Sequence, residues 1–461
     1  MKIKNNISPL ISIFVIISIN LLLNISCSSS STENTSDTQA EFICSENSFP
    51  LLRVNTNVTF DGSNSEGNIV MYEWDFGDGS PVENGYNLKI INHKYIEEKS
   101  YILSLKVTDN KGISNIKSVN IQVVPIFSSD LIYSDYNVSN AILMIYDSQA
   151  AINSPLIYLN GGIKGINFEI NPSKTMIAYL TYDYNNYNGW IINTYNLNTN
   201  ETTYITSLNG GAGFCGYPSW SNDNKFVYMD YKLDSMSEYN FYIYDLKTKE
   251  KKIIATTHFF SPAQSRKYIK PNWSSDGYYI TFTGTDINNY GQLYSYDVLK
   301  EDLEVIYKNY SGFIYYAAFS PQNDKITFID WDNTENCYKL CIIDKNGDNY
   351  NELITLGGGL GTGEYDWSHD GSRIAYITFD YNISDAVLSL FTLQTSAIET
   401  IRDLNSGIDG GHPKWSPDDK YISFTNFNTN AEIMIFDLNK NNFIKIRDLS
   451  SSIHGGFSNW E

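Results

Sequence analysis

One motif repeats at intervals of about fifty residues through most of the chain, and it constrains the fold more than any other feature. Each copy holds an aromatic residue, a Ser or Asn one or two positions later, a polar turn, and a run of β-branched and aromatic residues. Consecutive aromatics are 52, 53, 46, 48, 48 and 45 residues apart. Repeats of this length, each holding several strands, predict a β-propeller. The aromatics are Phe168, Trp220, Trp273, Phe319, Trp367, Trp415 and Trp460.

Each repeat is predicted to contain four strands, A to D. Strand A carries the aromatic, a tight turn such as "SSDGY" follows, and strand B is a run such as "YITFTG". Strand C resembles "QLYSYDV", and strand D follows another turn. The abundance of Tyr, with 36 copies, also favours pleated, half-buried surfaces. The predicted fold class is therefore all-β.

The two ends of the repeat region complement each other. The first B–C hairpin, "DLIYSDYNVSNAILMIYD" at residues 130–147, has no strand A before it, and the last strand A, within residues 454–461, has no hairpin after it. Pairing them would complete a blade begun at residues 130–160 and remove exposed sheet edges, which invite aggregation. The sequence therefore predicts seven blades, one of them closed by the C-terminal strand. Six blades is the alternative, if the first hairpin is irregular.

The motif W-S-x-D-G and the run "IIDKNGDNYNELI" resemble the repeat of TolB-like propellers, which are related to the wider WD-type propellers. The resemblance covers residues 126–461 and implies a propeller in this part of the chain. The N-terminal α/β domain of TolB itself is not apparent in the sequence. The resemblance therefore does not carry the role of TolB to this chain.

Residues 50–125 have a different pattern, in which short alternating runs are separated by turn signals such as "GDG" and "NKG". This pattern predicts a small β-sandwich. The run "WDFGDG" resembles the PKD domain, an immunoglobulin-like module, and implies a spacer or contact role without catalysis. Trp74 and Phe76 share strand parity and are predicted to pack in the core. We interpret Asp75 and Asp78 as caps of turn NH groups, and His93 as structural, in preference to metal ligands.

The N-terminus has the features of an export signal. Two lysines precede an apolar stretch from Ile7 to Leu23, and small residues lead to Cys27, which is typical of a secretory signal peptide. The run "LNISCSSSS" resembles a bacterial lipoprotein signal of the loose kind common in Bacteroidetes, in which Cys27 is lipidated; an ordinary cleaved signal is the alternative. We predict a signal peptide at residues 1–26, a Ser/Thr-rich tether at 27–49, and an exported chain anchored to the outer membrane by its lipid.

Charge and cysteine content exclude several classes of function. The formal net charge is −20, which argues against nucleic-acid binding because that needs clustered Lys and Arg, and which is compatible with a cationic or neutral ligand. No cysteines have zinc-site spacing. Cys337 and Cys341 would point to one strand face about 13 Å apart, too far for a disulfide. The sequence leaves a pairing of Cys44 with Cys215 open.

The propeller has one face with features of a binding surface. In a four-stranded meander the B–C and D–A loops lie at one end of the ring; here the B–C loops are long, aromatic and acidic, and the D–A loops are rich in glycine. Aromatic faces and short polar acceptors suit sugars or peptides. The alternative is that these residues only solvate and tie down hairpin ends. The ligand-face candidates are Asp135, Tyr136, Asp183, Tyr184, Asp230, Tyr231, Asp286, Trp331, Asp332, Asp380, Tyr381, His412, Phe427 and His454.

The sequence favours a binding or scaffold lipoprotein whose propeller face engages a glycan, a peptide or an envelope protein, as a monomer without a cofactor. It has no G-x-S-x-G elbow and no H-E-x-x-H motif, so we predict that it is not an enzyme. The alternative is a metal-dependent polysaccharide lyase or another carbohydrate-active enzyme. This alternative arises because oligogalacturonide lyases are propellers with a histidine-rich metal site. His412 and His454, in successive D–A loops, would be its metal ligands.

Overall fold

The structure is a computed structural model, and it describes residues 38–46, 49–125, 127, 129–136, 140–148, 152–160, 168–183, 189–209, 216–232, 238–258, 270–357, 364–380, 385–404, 411–427, 431–449 and 458–460. Regular structure within these ranges consists of β-strands. None of the ranges contains a helix that is long and apolar enough to cross a lipid bilayer. The predicted signal peptide and Cys27 lie outside the described residues.

The first domain is a sandwich of two sheets. One sheet has the strand order β1-β3-β6, and the other has the order β2-β8-β7-β4-β5. Their inward side chains form one apolar core. The strands are β1 Ile43–Cys44, β2 Leu51–Arg53, β3 Val58–Asp61, β4 Ile69–Asp75, β5 Glu83–Gly85, β6 Ile90–His93, β7 Ser100–Asp109 and β8 Ser114–Val124.

The sandwich begins before residue 50. Strand β1 pairs with β3, and Phe42 is 3% exposed. The Phe42 ring lies 5.4 Å from that of Trp74 in an edge-to-face arrangement, which shields the tryptophan from solvent. Part of the predicted tether at residues 27–49 therefore belongs to the folded domain.

The "WDFGDG" run forms the centre of this domain. Trp74 and Phe76 are buried, which confirms the predicted core packing. Asp75 accepts a hydrogen bond from the Gly77 NH at 2.9 Å. Gly77 has a φ of 71°, and an added Cβ there would meet the Ile102 carbonyl oxygen at 2.4 Å, so the turn requires glycine. The aspartate thus caps the turn, as the sequence predicted.

The remaining strands form four-stranded antiparallel units with the order A-B-C-D, which we call blades. Blade 1 has the order β36-β9-β10-β11. Each of blades 2 to 7 consists of the next four strands in chain order, from β12–β15 in blade 2 to β32–β35 in blade 7. Blades 3 and 4 join through a bridge between His258 and Thr285. The strands are β9 Leu131–Tyr136, β10 Asn140–Asp147, β11 Ile152–Asn160, β12 Phe168–Ile170, β13 Met176–Asp183, β14 Gly189–Asn196, β15 Glu201–Ser207, β16 Gly216–Trp220, β17 Lys225–Tyr231, β18 Glu238–Asp245, β19 Lys251–His258, β20 Asn272–Trp273, β21 Tyr279–Thr285, β22 Gly291–Asp297, β23 Asp302–Asn309, β24 Ile314–Phe319, β25 Lys325–Asp332, β26 Cys337–Asp344, β27 Asn351–Gly357, β28 Tyr365–Trp367, β29 Arg373–Asp380, β30 Asp385–Thr392, β31 Ala397–Asp403, β32 Gly411–Trp415, β33 Tyr421–Phe427, β34 Ala431–Asp437, β35 Asn442–Asp448 and β36 Ser458–Trp460.

The repeat register in blade 2 differs from the predicted one by two residues. Ile170 pairs with Ile177 across the A–B turn, just as Trp273 pairs with Ile280 in blade 4. Ile170 therefore holds the motif position, and Phe168 lies two residues before it. Both side chains have the same strand parity and are buried, so the sequence offered two apolar residues for one position.

The motif aromatics are buried, which confirms that they belong to the core. Several of the tryptophans also contact the previous blade, because the indole NH donates to a backbone carbonyl in strand A of that blade. The accepting residue is the one just before the motif position. This bond recurs with similar lengths around the ring. The pairs are Trp220 to Glu169 at 3.0 Å, Trp415 to Asp366 at 3.2 Å and Trp460 to Lys414 at 3.1 Å.

The C-terminal strand pairs with the first hairpin, as the sequence predicted. Strand β36 runs antiparallel to β9, with Trp460 opposite Leu131. The Lys174 ammonium of blade 2 donates to the Trp460 carbonyl at 2.7 Å. The Ser458 hydroxyl lies 2.9 Å from that of Ser423 in blade 7. The last described strand thus contacts the blades on both sides of its own.

Phe127, in the linker between the two domains, packs on this closure. Its ring lies 5.7 Å from Trp460, 4.9 Å from Tyr421 and 6.0 Å from Tyr146, each in an edge-to-face arrangement. An ion pair between Lys440 and Glu98 adds a second link from blade 7 to the sandwich. The linker therefore covers the seam where the two ends of the repeat region meet.

The described cysteines are free thiols. Cys337 and Cys341 lie on the same strand, β26, and Cys44 lies in β1. The expectation that Cys337 and Cys341 do not pair is confirmed. Cys215 lies outside the described residues.

We expect Asp78→Asn to destabilise the sandwich at neutral pH. The Asp78 carboxylate lies 2.8 Å from the His93 ring and accepts from the Ser80 NH. Burial would raise its pKa, but these bonds outweigh burial and hold the pKa below its ordinary value of 3.8. A depressed carboxyl pKa stabilises the folded state above that ordinary value, and the contribution is lost as pH falls through the depressed pKa.

The free energy of unfolding should therefore fall by about 1–2 kcal/mol at pH 7, and the difference from the parent should shrink below pH 4. Calorimetry of the full chain at pH 7 and pH 3 measures both. The exposed Asp302→Asn is the control. An equal loss at both pH values would contradict the pairing.

Removal of residues 454–461 should open the ring. The truncation exposes the edge of β9 and removes the Trp460 side chain from the core, and a buried aromatic truncated to Ala typically costs about 3–5 kcal/mol. We expect a lower melting temperature or aggregation, and a smaller effect of the same kind for Trp460→Ala. The half-buried Trp331→Ala serves as the control in thermal denaturation. A truncated chain that melts like the parent would refute the closure.

Candidate functional site

The candidate site lies at the end of the ring where strands A begin and strands B end, which we call the loop face. Three of its connections are described: residues 286–290 and 333–336, which join strands B and C of blades 4 and 5, and residues 310–313, which join the two blades. Of the predicted candidates, Tyr184, Tyr381 and His454 lie outside the described residues, as do the side chains of Tyr136, Asp183, Asp380 and Phe427.

Asp286 organises the loop face of blade 4. Its Oδ1 accepts from the NH groups of Asn288 and Tyr290 at 2.8 and 3.1 Å, and its Oδ2 pairs with the Lys308 ammonium at 2.6 Å. The same ammonium lies 5.3 Å from the ring centre of Tyr290 and 5.1 Å from that of Tyr310. Tyr310 is 70% exposed. Two aromatic rings and one carboxylate thus form an open cage around a cation.

Asp332 likewise accepts from turn NH groups and pairs with a lysine in blade 5, but more carboxylates lie around that lysine. Lys339 donates to Asp332 at 2.9 Å and also pairs with Glu335 at 3.1 Å and Glu352 at 3.0 Å. The hydrogen bond from Lys339, together with turn NH groups, lowers the pKa of Asp332 to about 2. Three carboxylates therefore surround one ammonium, and the group carries surplus negative charge.

The two predicted aromatics with described side chains are engaged in packing. Trp331 is half-buried; its indole NH donates to Asn333 at 2.6 Å, and its ring lies 4.5 Å from that of Tyr338. Tyr231 is 9% exposed and its ring lies 4.4 Å from that of Tyr239. Trp331 thus belongs to the surface of the loop face, whereas Tyr231 belongs to its support.

The four described aspartates of the predicted set occupy two positions, not one. Asp135 and Asp230 lie inside strand B, four residues after the partner of the motif aromatic, whereas Asp286 and Asp332 lie six residues after it. The sequence predicts a single shared position for them because the loops that follow look alike. The strand pairing divides them into two buried residues, Asp135 and Asp230, and two residues that cap turns, Asp286 and Asp332.

The buried position ties strand B to strand D of the preceding blade. Asp330 of blade 5, which the sequence reasoning missed, holds the same position, and burial raises its pKa although its partners oppose this. This position therefore joins blades and does not face a ligand. The contacts are Asp135 with Arg447 at 3.5 Å, Asp230 with the Asn209 NH at 2.9 Å, and Asp330 with the Tyr307 hydroxyl at 2.8 Å and the Asn309 amide at 2.5 Å.

The residues that precede the motif aromatics form a second group, which the sequence reasoning also missed. They alternate with the buried aromatics, so their side chains point away from the blade interface and toward the ring axis. Contacts between blades that are not neighbours support this placement. We call six of them, one or three residues before the motif position, the axis cluster: Glu169, Lys270, Glu364, Asp366, His412 and Lys414.

Ion pairs connect the axis cluster across the ring. Lys270 of blade 4 pairs with Glu169 of blade 2 at 2.5 Å, past strand A of blade 3. Lys414 of blade 7 pairs with Asp366 of blade 6 at 2.7 Å. Burial opposes the charged form of Lys414, but Asp366, Glu169 and Glu364 outweigh it and raise the lysine pKa. Charges from four blades thus influence one another at the axis.

Two residues near the start of strand A have unusual backbone conformations. Tyr316 and His412 have φ values of 47° and 44°, the left-handed region that bulky residues rarely adopt. Each lies three residues before the motif position, at an irregularity in the pairing of strands A and B. Extra residues of this kind re-aim side chains and are common beside functional sites.

The two strained residues converge on Glu364. The Tyr316 hydroxyl donates to the Glu364 carboxylate at 3.3 Å. The His412 NH donates to it at 3.1 Å, and the His412 ring Nδ1 pairs with it as well. Blades 5, 6 and 7 therefore place a phenol, a carboxylate and an imidazole together at the loop face, next to the ion pairs of the axis cluster.

Metal binding has no support among the described residues. No group of three or more His, Cys, Asp and Glu side chains in the described ranges has the spacing to hold a metal ion. The metal site that the sequence offered as an alternative needs His412 together with His454, and the latter lies outside those ranges. The prediction that no metal is bound stays a prediction.

Comparison with known proteins identifies the first domain. Residues 50–123 match the model of the PKD domain, so this part of the chain is a PKD domain. The collagenase ColA of Clostridium perfringens is 43% identical over 74 residues, which are 15% of this chain and 6% of the collagenase. The chain therefore matches only a small fraction of that relative's length.

Solved structures support the fold of the second domain. The periplasmic gluconolactonase PpgL of Pseudomonas aeruginosa has a TM-score of 0.52 at 11% identity, over 72% of this chain and 98% of that one. TolB from Acinetobacter baumannii has a TM-score of 0.44 at 18% identity, over 66% and 77% of the two chains. The chain is thus all-β, with a PKD domain followed by a propeller.

The substitution His412→Asn should leave the propeller as stable as the parent or slightly more stable. Asparagine tolerates the left-handed backbone that strains histidine, and relief of such strain contributes about 1 kcal/mol, offset by the lost contact of the ring with Glu364. Calorimetry measures the melting temperature. His369→Asn, on the exposed A–B turn of blade 6, is the control because its backbone is unstrained. A clear loss of stability in His412→Asn but not in His369→Asn would show that the His412 imidazole stabilises the fold.

Proposed function

We propose that this protein is an exported, membrane-anchored binding or scaffold lipoprotein whose loop face engages a glycan, a peptide or an envelope protein. The observation that carries the proposal is the pair of strained residues, Tyr316 and His412, that converge on Glu364 at the ring axis. Such backbone costs about 1–3 kcal/mol at each residue and persists where function needs the side chain. The side chains of both strained residues lie at the loop face.

The surface around this point has the composition of a recognition site. Tyr310 and Ile287 are 70% and 80% exposed, the Tyr290 ring lies 5.4 Å from that of Tyr310, and Trp331 lies near the end of strand B of blade 5. Large aromatic side chains with polar ends bury much area at low entropic cost. Exposed apolar groups beside fixed charges are a common form of ligand-contacting surface.

The N-terminal part of the chain supports the proposed location. Cys27 follows an apolar stretch, and the tether after it is short and polar. A lipid on Cys27 would hold the PKD domain near a membrane and present the propeller beyond it. The linker residue Phe127 packs against the propeller, so the domains are joined by direct contacts as well as by the chain.

Binding fits the described residues better than catalysis does. Of the axis-cluster carboxylates, Glu169 and Asp366 are held by lysines, and Glu364 is engaged by Tyr316 and His412. General acid–base catalysis needs a group placed to exchange a proton with the substrate, and nucleophilic catalysis needs an activated nucleophile. A metal-dependent lyase remains the alternative because His412 would be one of its ligands.

Glycan and peptide arrays probed with the purified, labelled chain would test the proposal. We expect a defined set of ligands to be bound, and we expect Tyr316→Asn and His412→Asn to reduce that signal at least fivefold, because each removes a side chain from the site without adding strain. Tyr278→Asn and His369→Asn make the same changes on the A–B turns at the opposite end of the ring, and should retain the signal.

Equal losses in both pairs of variants, or no ligand at all, would contradict a binding site at the loop face. Stoichiometric manganese, nickel or zinc in the parent that is lost in His412→Asn would favour the lyase instead. Elemental analysis of the same preparations provides this measurement.

A further inference from the structure

Tyr310, in the connection between blades 4 and 5, is 70% exposed but is held in place. The Lys308 ammonium lies over its ring, 5.1 Å from the ring centre, and the Tyr290 ring lies 5.4 Å away at an angle of 60°. Asp286 fixes that ammonium at 2.6 Å. A single exposed aromatic residue needs no explanation, whereas one that packs against two fixed neighbours presents its ring in a defined orientation.

The backbone on either side of Tyr310 is also fixed. Asn309 is buried, and its side-chain oxygen accepts from the NH groups of Ser311 and Gly312 at 2.7 and 2.9 Å. Its side-chain amide donates to the Trp331 carbonyl at 2.9 Å, which ties the connection to strand B of blade 5. Tyr310 therefore follows an anchored residue and precedes an anchored turn, so ordering of this segment costs little when a ligand binds.

Two glycines make this close packing possible. The Gly312 carbonyl accepts from the Gly291 NH at 3.0 Å. A Cβ added to Gly312 would meet the Trp331 carbonyl oxygen at 2.5 Å, and one added to Gly291 would meet the Gly312 carbonyl oxygen at 2.8 Å. The glycines thus let the connection lie against blades 4 and 5 at once, and the exposed ring is supported by rigid strands.

The charges beside the Tyr310 ring are matched. Lys308 and Asp286 pair with each other, and their side chains are 28% and 16% exposed. A cationic group brought to the ring would be repelled by the ammonium that is already there, and an anionic group would have to compete with Asp286 for that ammonium. The ligand that suits this ring best is therefore uncharged.

Polar groups lie next to the ring. An ammonium has three donors, and within the described residues the hydrogen-bond acceptor of Lys308 is Asp286. Asn288 and Ser311 are exposed, and the side chain of each can both donate and accept. A pyranose ring has the complementary form, because its axial C–H bonds make an apolar face and its hydroxyl groups lie around the edge.

We propose that Tyr310 is a stacking platform for one sugar residue of a neutral glycan, with Lys308, Asn288 and Ser311 as hydrogen-bonding partners of the sugar hydroxyls. The inference rests on the proposed function and narrows its ligand to one class. It also places a ligand contact on blades 4 and 5, apart from the group around Glu364. An aromatic face with a few placed polar groups is typical of small-molecule sites.

Isothermal titration calorimetry of the full chain with four neutral tetrasaccharides, built from glucose, mannose, galactose or N-acetylglucosamine, would test this inference. We expect at least one of them to bind, with an affinity that changes little as salt is raised, because no ligand charge is screened. Tyr310→Ala should weaken that binding at least tenfold, because it removes the stacking surface. Tyr310→Phe keeps the ring and should bind within about twofold of the parent.

Tyr278→Ala is the matched control, since Tyr278 is 50% exposed on an A–B turn at the opposite end of the ring. It should bind the same sugar as the parent does. An equal loss in Tyr278→Ala, unchanged binding in Tyr310→Ala, or no binding of any of the four sugars would overturn the platform. A peptide from the array that is lost in Tyr310→Ala while the sugars do not bind would overturn the ligand class.

The two proposals can fail separately. If a tetrasaccharide is lost in Tyr310→Ala but retained in Tyr316→Asn and His412→Asn, the platform stands and the axis is not part of the site. If array ligands are lost in His412→Asn but retained in Tyr310→Ala, the loop face binds at the axis and the platform is wrong. Circular dichroism and thermal melting check that each variant is folded, and Tyr310→Ala should melt as the parent does because its side chain is exposed.

Discussion

The pairing of the terminal strand β36 with β9 is the interaction on which the rest of the second domain depends. It is short, with only Ser458 to Trp460 opposite β9, yet it joins the two ends of the repeat region. Trp460 then donates to the Lys414 carbonyl of blade 7 and accepts from Lys174 of blade 2. Three blades therefore meet at one residue. Without this contact, the charged residues of blades 2 and 7 would have no fixed distance across the axis.

The same motif supplies both stability and the site, because strand residues alternate between two sides. The aromatic at the motif position enters the blade interface and donates to the preceding strand A, as Trp220 does to the Glu169 carbonyl. The residue before it points to the axis, as the Glu169 side chain does when it pairs with Lys270. Substitution at the first position should change packing, and substitution at the second should change the charge of the axis. Repeats can thus diverge in function while the ring is kept.

The sequence predicted the features that rest on local pattern: the repeat, the all-β class, the core of the PKD domain around Trp74, and the closure by Trp460. It did not predict the axis cluster, although the alternation of strand residues that places these side chains is present in the sequence. It grouped Asp135 with Asp286 because their loops look alike, while strand pairing sets the true register. The strain at His412 could not be predicted, since an irregularity in pairing leaves no signature in one sequence.

Closure also explains how the ring can hold unfavourable features. Strained backbone at Tyr316 and His412 and a surplus of carboxylates at the axis each destabilise the folded state. A closed ring tolerates this loss of stability, because every strand A is held by its own blade and by the neighbouring blades. Phe127 adds to this, since it packs on Trp460 and Tyr421 where the ring would otherwise open first. The linker from the PKD domain therefore stabilises the seam at the end of the ring opposite the loop face.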